Sequence, residues 1–181
     1  MPKIEIFDHI HYNFESEKKM MDGIVTGSFD PITLGHIEII KKASPYFERL
    51  YVVALKNKDK PGAFSMNQRR ELIALSLADV KNVIADEYDG MTADYMHTHS
   101  IKKIIRGIRN EDDEKYEKEL ANAMNGFDPE FETVFIKSDE KYAKISSTLV
   151  RERLAAGESV EDLVSRAAVK RMQEMYKENH K

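Results

Sequence analysis

With 181 residues, 41% of them apolar and 33% charged, the chain fits one domain with a sizeable core. A net charge of −4 excludes non-specific nucleic-acid binding as its main task, and the absence of cysteine excludes disulfides, thiolate nucleophiles and cysteine–zinc sites. No run approaches the ~18 apolar residues of a membrane span, and the polar, acidic N-terminus is unlike a secretory signal, so a cytoplasmic protein is expected.

Residues 1–20 stand apart as an extension of unknown role. Their run Phe14-Glu15-Ser16-Glu17-Lys18-Lys19 is charged, while residues 4–10 have the pattern of a short strand. Residues 21–181 read as a single domain. Residues 23–26 form an apolar strand that runs into Gly27, and Ile37, Ile40, Ala43 and Phe47 give the period of a helix beginning at His36. The β-branched run at residues 50–55 reads as a buried parallel strand. Ser65-Met66-Asn67-Gln68 has the form of a capping box, with a helix to about Leu77. Strands follow at residues 82–85, 101–105 and 132–136. Helices are expected at 92–99, 111–125 and 147–156, the last closed by Gly157, with weaker helices to the end.

Strand–helix alternation of this kind argues an α/β fold: a doubly wound, five-stranded parallel sheet with helices on both faces and a C-terminal helical segment. Ligands on such sheets bind beyond the carboxyl ends of the strands, where the strand order switches. The chemically loaded segments sit in such places: Ser28 to His36, Lys56 to Lys60, Arg106 to Arg109, and the stretch from Lys137 onward.

His36 follows Gly35 in the first turn of a helix, where the macrodipole attracts anions and lowers an imidazole pKa. Its N–H can donate to a phosphate oxygen. Ser28 offers a hydroxyl and a backbone N–H at the strand end. Asp30-Pro31 reads as structural, with the carboxylate bonding local backbone N–H groups. Among Lys56, Lys58 and Lys60, one is placed to neutralise a phosphate as a mobile point charge. Arg106-Gly107-Ile108-Arg109 sets two guanidinium forks around a glycine that permits an unusual backbone angle or close contact with a base or ribose. Ser146, Ser147 and Thr148 place three hydroxyls before a helix, one as its N-cap. The pairs His9/His11 and His97/His99 read as non-ligands, and no metal site, Ser-His-Asp set, Walker A loop or GxGxxG fingerprint is present.

The run from Gly27 to His36 resembles the T/HxGH signature of the nucleotidylyltransferase superfamily, which implies a Rossmann-like sheet. Arg106-Gly107-Ile108-Arg109, Tyr116-Glu117, Met124-Asn125 and Ile145-Ser146-Ser147-Thr148-Leu149-Val150 narrow the resemblance to bacterial phosphopantetheine adenylyltransferases, from about Asp22 to the C-terminal helices. The resemblance implies transfer of AMP from ATP to 4′-phosphopantetheine, giving dephospho-coenzyme A and pyrophosphate. It assigns catalytic work to His36, Lys60 and Arg106. The ATP site would comprise Ser28, Phe29, His36, Gly107, Ile108, Arg109, Glu117, Tyr142, Ala143, Lys144, Ile145, Ser146, Ser147 and Thr148. Phosphopantetheine would meet Ser28, Lys60, Met91, Thr92 and Arg106.

Mg²⁺ arriving with ATP, a homohexamer and feedback inhibition by coenzyme A are further implications; nucleic-acid and membrane partners are not expected. The chain departs from the family at Leu34, where asparagine is usual, at Glu114 or Lys115 and at Lys144, where aromatics are frequent, and in residues 1–20. Nicotinamide-mononucleotide adenylyltransferase is the alternative, since the Ser146-to-Arg151 segment resembles its SSTxxR pattern, although that family usually has histidine at Thr33. A cytidylyltransferase and a non-catalytic nucleotide-binding domain are further alternatives.

Overall fold

The computed structural model describes residues 4–7, 21–56, 62–109 and 111–180. Their strands are β1 (Ile4–Phe7), β2 (Gly23–Gly27), β3 (Leu50–Leu55), β4 (Val83–Tyr88), β5 (Lys103–Ile108) and β6 (Glu132–Lys137). They pair throughout in parallel, in the order β1-β6-β5-β2-β3-β4. The five expected strands are all present. The expected five-stranded sheet is widened by a sixth, because Ile4–Phe7 adds in register to β6, Ile4 opposite Thr133 and Phe7 opposite Ile136. The rest of the extension lies outside the described residues.

The helices are α1 (Leu34–Ala43), α2 (Met66–Ser76), α3 (Thr92–Thr98), α4 (Glu111–Phe127), α5 (Ser147–Ala156) and α6 (Arg166–Asn179). Alternation along the strands decides which helix covers which face. Leu50, Val52 and Ala54 join Val25, Ile105 and Ile136 in a core with Ile40 of α1, Leu72 and Ile73 of α2 and Met172 and Met175 of α6. Tyr51 and Val53 point the other way and pack with Ile24, Ile104 and the α3 residues Tyr95 and Met96. Ile108 and Phe135 meet Ala121 of α4 on that second side.

Local signals set the helix ends. Ser65 accepts from Gln68 N at 3.3 Å while Gln68 Oε1 accepts from Ser65 N at 2.8 Å, completing the capping box. Gly157 takes φ +71° at the end of α5, a conformation costly for any residue with a Cβ. Among the described residues no helix is long and apolar enough to cross a membrane.

Strand order reverses at β2. β3 and β4 lie on one side of it, β5 and β6 on the other, so a crevice opens at the carboxyl ends of β2 and β5. β5 extends past its expected end and carries Arg106-Gly107-Ile108 within the strand, with Gly107 opposite Ile136. This corrects the reading of Gly107 as a site of unusual backbone angle: it lies in regular strand, and its missing side chain makes room for α1. A Cβ there would stand 2.9 Å from Cγ1 of Ile39 on α1. The glycine thus lets α1 lie close on β5. Gly107→Ala is expected to lose about 1–3 kcal/mol of stability in urea denaturation through overpacking; an unchanged midpoint would contradict this close approach.

Candidate active site

The turn after β2 is held from outside itself. Asp30, 7% exposed, accepts from Ala63 N at 3.0 Å and Phe64 N at 2.9 Å. Its expected structural role is present, but its partners lie 33 and 34 residues further on rather than in the turn. Arg69 of α2, equally buried, sits 3.2 Å from the Asp30 carboxylate through Nε. The same guanidinium donates to Phe64 O at 2.9 Å and to Ser28 O at 3.0 Å. Arg151 donates to Asp30 O at 2.6 Å, and Ser147 Oγ to Pro31 O at 2.8 Å.

Sequence reading missed Arg69. Its signal was an arginine on the apolar stripe of α2, in line with Leu72, Ile73 and Ser76. Within this frame Phe29 takes φ +41°, a left-handed angle rare for a bulky residue. Its ring is buried and meets the His36 ring edge-on at 5.1 Å.

Thr33 caps α1, and His36 is its third residue. Histidine takes the place of the usual Glu or Gln of a capping box: Thr33 N donates to His36 Nδ1 at 3.1 Å, with Thr33 Oγ1 at 3.0 Å. Because Nδ1 accepts, the neutral ring carries its proton on Nε2. Burial pushes the His36 pKa down to about 4, and the positive charge of Arg109 adds to the shift. At neutral pH the ring is therefore an uncharged donor.

Leu34, which departs from the family's usual asparagine, has a structural reason. Its side chain packs against the main core, and its N–H donates to Leu163 O at 2.9 Å, joining the start of α1 to the chain before α6.

A cavity of about 160 Å³ lies at the strand-order switch, walled by Thr26, Phe29 and His36 on one side and Arg106, Gly107, Arg109 and Glu117 on the other, with Ser138 at its rim. Arg106 Nε stands 3.6 Å from Glu117 Oε2. That oxygen is buried without a hydrogen bond. Burial raises the Glu117 pKa against the pull of Arg106, and Asp113 adds to the rise. The cleft thus combines two guanidinium groups, one imidazole N–H and one destabilised carboxylate, a lining suited to an anion with hydroxyl groups.

The remaining expected site residues distribute around this cleft. Ile108 and Ile145 are buried, so only their backbones are available to a ligand. Tyr142 comes close to Gly35, its Cβ 3.8 Å from where a Gly35 Cβ would stand. Ala143 and Lys144 are exposed. Ser146 caps α5 through Leu149 N at 3.1 Å, and Thr148 Oγ1 accepts from Arg151 at 3.1 Å. The three hydroxyls of this segment all have structural partners.

Ser28 has an exposed side chain at the turn. Met91, 60% exposed, and Thr92 follow the end of β4, two strands from β2. Lys58 and Lys60 lie outside the described residues, but Ala63 and Phe64 just beyond them are the groups bound to Asp30. Lys56 pairs with Asp89 at 2.7 Å. His97 packs near Asp128 and Phe131, and His99 stacks on Tyr95 at 4.0 Å.

Residues 24–153 match the cytidylyltransferase-like family. The chain is 39% identical over 151 residues to a phosphopantetheine adenylyltransferase of Clostridium novyi (strain NT), covering 83% of this chain and 94% of that relative. It is 37% identical over 145 residues to the same enzyme of Petrotoga mobilis (strain DSM 10674 / SJ95), covering 80% and 90%. In fold it is similar to the crystal structure of a putative nicotinate-nucleotide adenylyltransferase from Vibrio parahaemolyticus, with a TM-score of 0.65 and 15% identity over 89% of this chain and 96% of that one.

Two outcomes follow from this geometry. The imidazole resonances of His36 should stay flat between pH 8 and about pH 5.5 and move only as its pKa near 4 is approached; a midpoint near the ordinary 6.5 would contradict the neutral Nε2–H donor. Arg69→Met should lower unfolding free energy by about 3–5 kcal/mol, because it strands the buried Asp30 carboxylate; a loss below about 1 kcal/mol would show that the pair does not hold the turn.

Proposed function

The chain belongs to the phosphopantetheine adenylyltransferase family of cytidylyltransferase-like proteins, and we propose that it transfers AMP from ATP to 4′-phosphopantetheine, releasing pyrophosphate and leaving dephospho-coenzyme A. One observation carries the reading at the level of chemistry. The cleft at the strand switch gathers His36, Arg106 and Arg109 around one space, in a chain without cysteine. Such a site can orient and neutralise phosphates without forming a covalent bond to them.

In this mechanism the terminal phosphate of phosphopantetheine is the nucleophile. An oxygen of that phosphate attacks the α-phosphorus of ATP in line, the bond from α-phosphorus to the bridging oxygen breaks, and pyrophosphate leaves with the electron pair. His36 donates from Nε2 to the oxygens that gain charge, while Thr33 N fixes the ring through Nδ1. A neutral ring lets Nδ1 accept from Thr33 N while Nε2 donates; a protonated ring would lose that anchor. Arg106 grips the acceptor phosphate and Arg109 the triphosphate. Glu117 takes hydroxyl or amino hydrogens from the nucleotide, which satisfies its buried oxygen.

Lys60 bridges the two phosphate groups as a mobile charge, and Met91 and Thr92 meet the pantetheine arm. Mg²⁺ would arrive with ATP and would supply further charge neutralisation at the phosphates. Among the described residues no group of three or more His, Cys, Asp or Glu forms a protein cage for it. A cytoplasmic homohexamer inhibited by coenzyme A completes the proposal, to be read by light scattering and by inhibition kinetics.

Purified protein with ATP and Mg²⁺ should release pyrophosphate when phosphopantetheine is added and not when nicotinamide mononucleotide is added. Turnover with the mononucleotide alone would replace this reading, and turnover with neither would leave a binding domain. His36→Ala should lower kcat by about 10²–10³-fold; a raised ATP KM at full kcat would remove His36 from the chemical step.

A further inference from the structure

Two residues beyond His36, α1 carries a carboxylate that the reaction does not use. The Glu38 side chain is only 9% exposed. Its Oε2 accepts from Ser138 Oγ at 3.0 Å and its Oε1 from Asp139 N at 3.3 Å, both in the segment that leaves β6. Lys42, one turn further along α1, contacts the same carboxylate. Its ammonium also donates to Lys137 O at 3.0 Å and to Asp139 Oδ1 at 2.8 Å. All three ammonium hydrogens and both Glu38 oxygens are engaged, with four contacts between one helix and three consecutive residues, 137–139, and a fifth within the helix. Burial alone would lower the Lys42 pKa, yet the bonds to Asp139 and Glu38 raise it overall, and Asp139 is lowered by its bond to Lys42.

The position of these contacts matters more than their number. Ser138 forms part of the cleft wall. From it the chain runs through the short turn Glu140–Tyr142, passes Gly35 at Tyr142 and reaches Ser146, the cap of α5. α1 therefore touches this segment at its start, through Glu38 and Lys42, and again midway, where Gly35 meets Tyr142, while the same helix holds His36 and packs Ile39 on Gly107. A shift of residues 137–139 relative to α1 changes the width of the cleft between His36 and Ser138.

We infer that Glu38 and Lys42 form a clamp that sets the segment 137–146 against α1, so that Glu38 is a positioning residue for the nucleotide. The inference rests on the adenylyl-transfer reading, which gives that segment to ATP. Glu38 touches no reacting atom and acts through Ser138 and Asp139. Glu38 is the buried member of the clamp and Lys42 and Asp139 are partly exposed; with both Glu38 oxygens engaged, the buried charge has one satisfied arrangement, which fixes its geometry.

Glu38→Gln keeps the shape but loses the charge facing Lys42 and one acceptor. Calorimetry without the acceptor substrate should show ATP affinity about tenfold weaker than wild type, with the KM for phosphopantetheine within about twofold and kcat within about threefold. Lys42→Met should weaken ATP to a similar degree and Lys42→Arg should stay within about twofold of wild type, since arginine keeps the charge and the donors. The double variant Glu38→Gln/Lys42→Met should be about as weak as either single variant, because the groups act as one unit.

Thermal melts of each variant separate binding from folding. If Glu38→Gln does not fold, the Lys42→Met and Lys42→Arg pair decides the matter. ATP affinity within about twofold of wild type in every folded variant that removes the charge would overturn the clamp, whatever happens to the melting temperature. Wild-type protein that binds ATP but does not turn over phosphopantetheine would overturn the adenylyl-transfer reading and leave the clamp to the affinity data; wild-type protein that binds no ATP would overturn both.

Discussion

The buried pair Asp30–Arg69 is the constraint from which the rest of the site is built. A strand-to-helix turn that leaves Ser28 exposed and Phe29 at positive φ is an expensive piece of backbone. It persists because Asp30 is tied to Ala63 and Phe64, and because Arg69 holds Ser28 O and Phe64 O from α2. The carboxylate makes no contact with the cleft. It converts two separate loops, the one after β2 and the one leading into α2, into a single frame. Arg151 and Ser147 extend that frame to α5 through Asp30 O and Pro31 O. Two helices, α2 and α5, thereby fix the turn that leads to His36.

On this frame the charges of the cleft are divided by role. His36 is held neutral by burial and by Arg109, and it is aimed by Thr33. Arg106 and Arg109 supply permanent positive charge, which a histidine at neutral pH could not do reliably. Glu117 is the one carboxylate among the described wall residues, and Arg106 keeps it tolerable there. An overall charge of −4 is no obstacle, since the positive field is local to the ends of β2 and β5.

Much of this was legible in the residues. The β-branched, alternating strands gave the sheet, since Leu50, Val52 and Ala54 must face opposite to Tyr51 and Val53. The capping boxes and Gly157 set helix ends because they are local. What stayed hidden depended on partners distant in sequence. Gly107 invited a reading of unusual backbone because a glycine does not announce that Ile39 lies above it. Asp30 looked locally bonded because Ala63 and Phe64 are far along the chain. Leu34 looked like a defect in the turn until the core beneath α1 was visible. Glu38 carried no signal of its own, because Ser138 and Asp139 reach it from the end of β6. The strand near the N-terminus was foreseen but not its place in the sheet, because nothing in four residues says which edge they join.

The central claim is that the cleft between β2 and β5 holds ATP and an acceptor phosphate in line, so that the acceptor attacks the α-phosphorus directly with no adenylylated protein between. The configuration at that phosphorus tests it. With an α-phosphorothioate analogue of ATP of defined configuration, one direct displacement predicts inversion in the dephospho-coenzyme A product. Retention would require two displacements and a covalent adenylyl–protein intermediate, and would contradict the account.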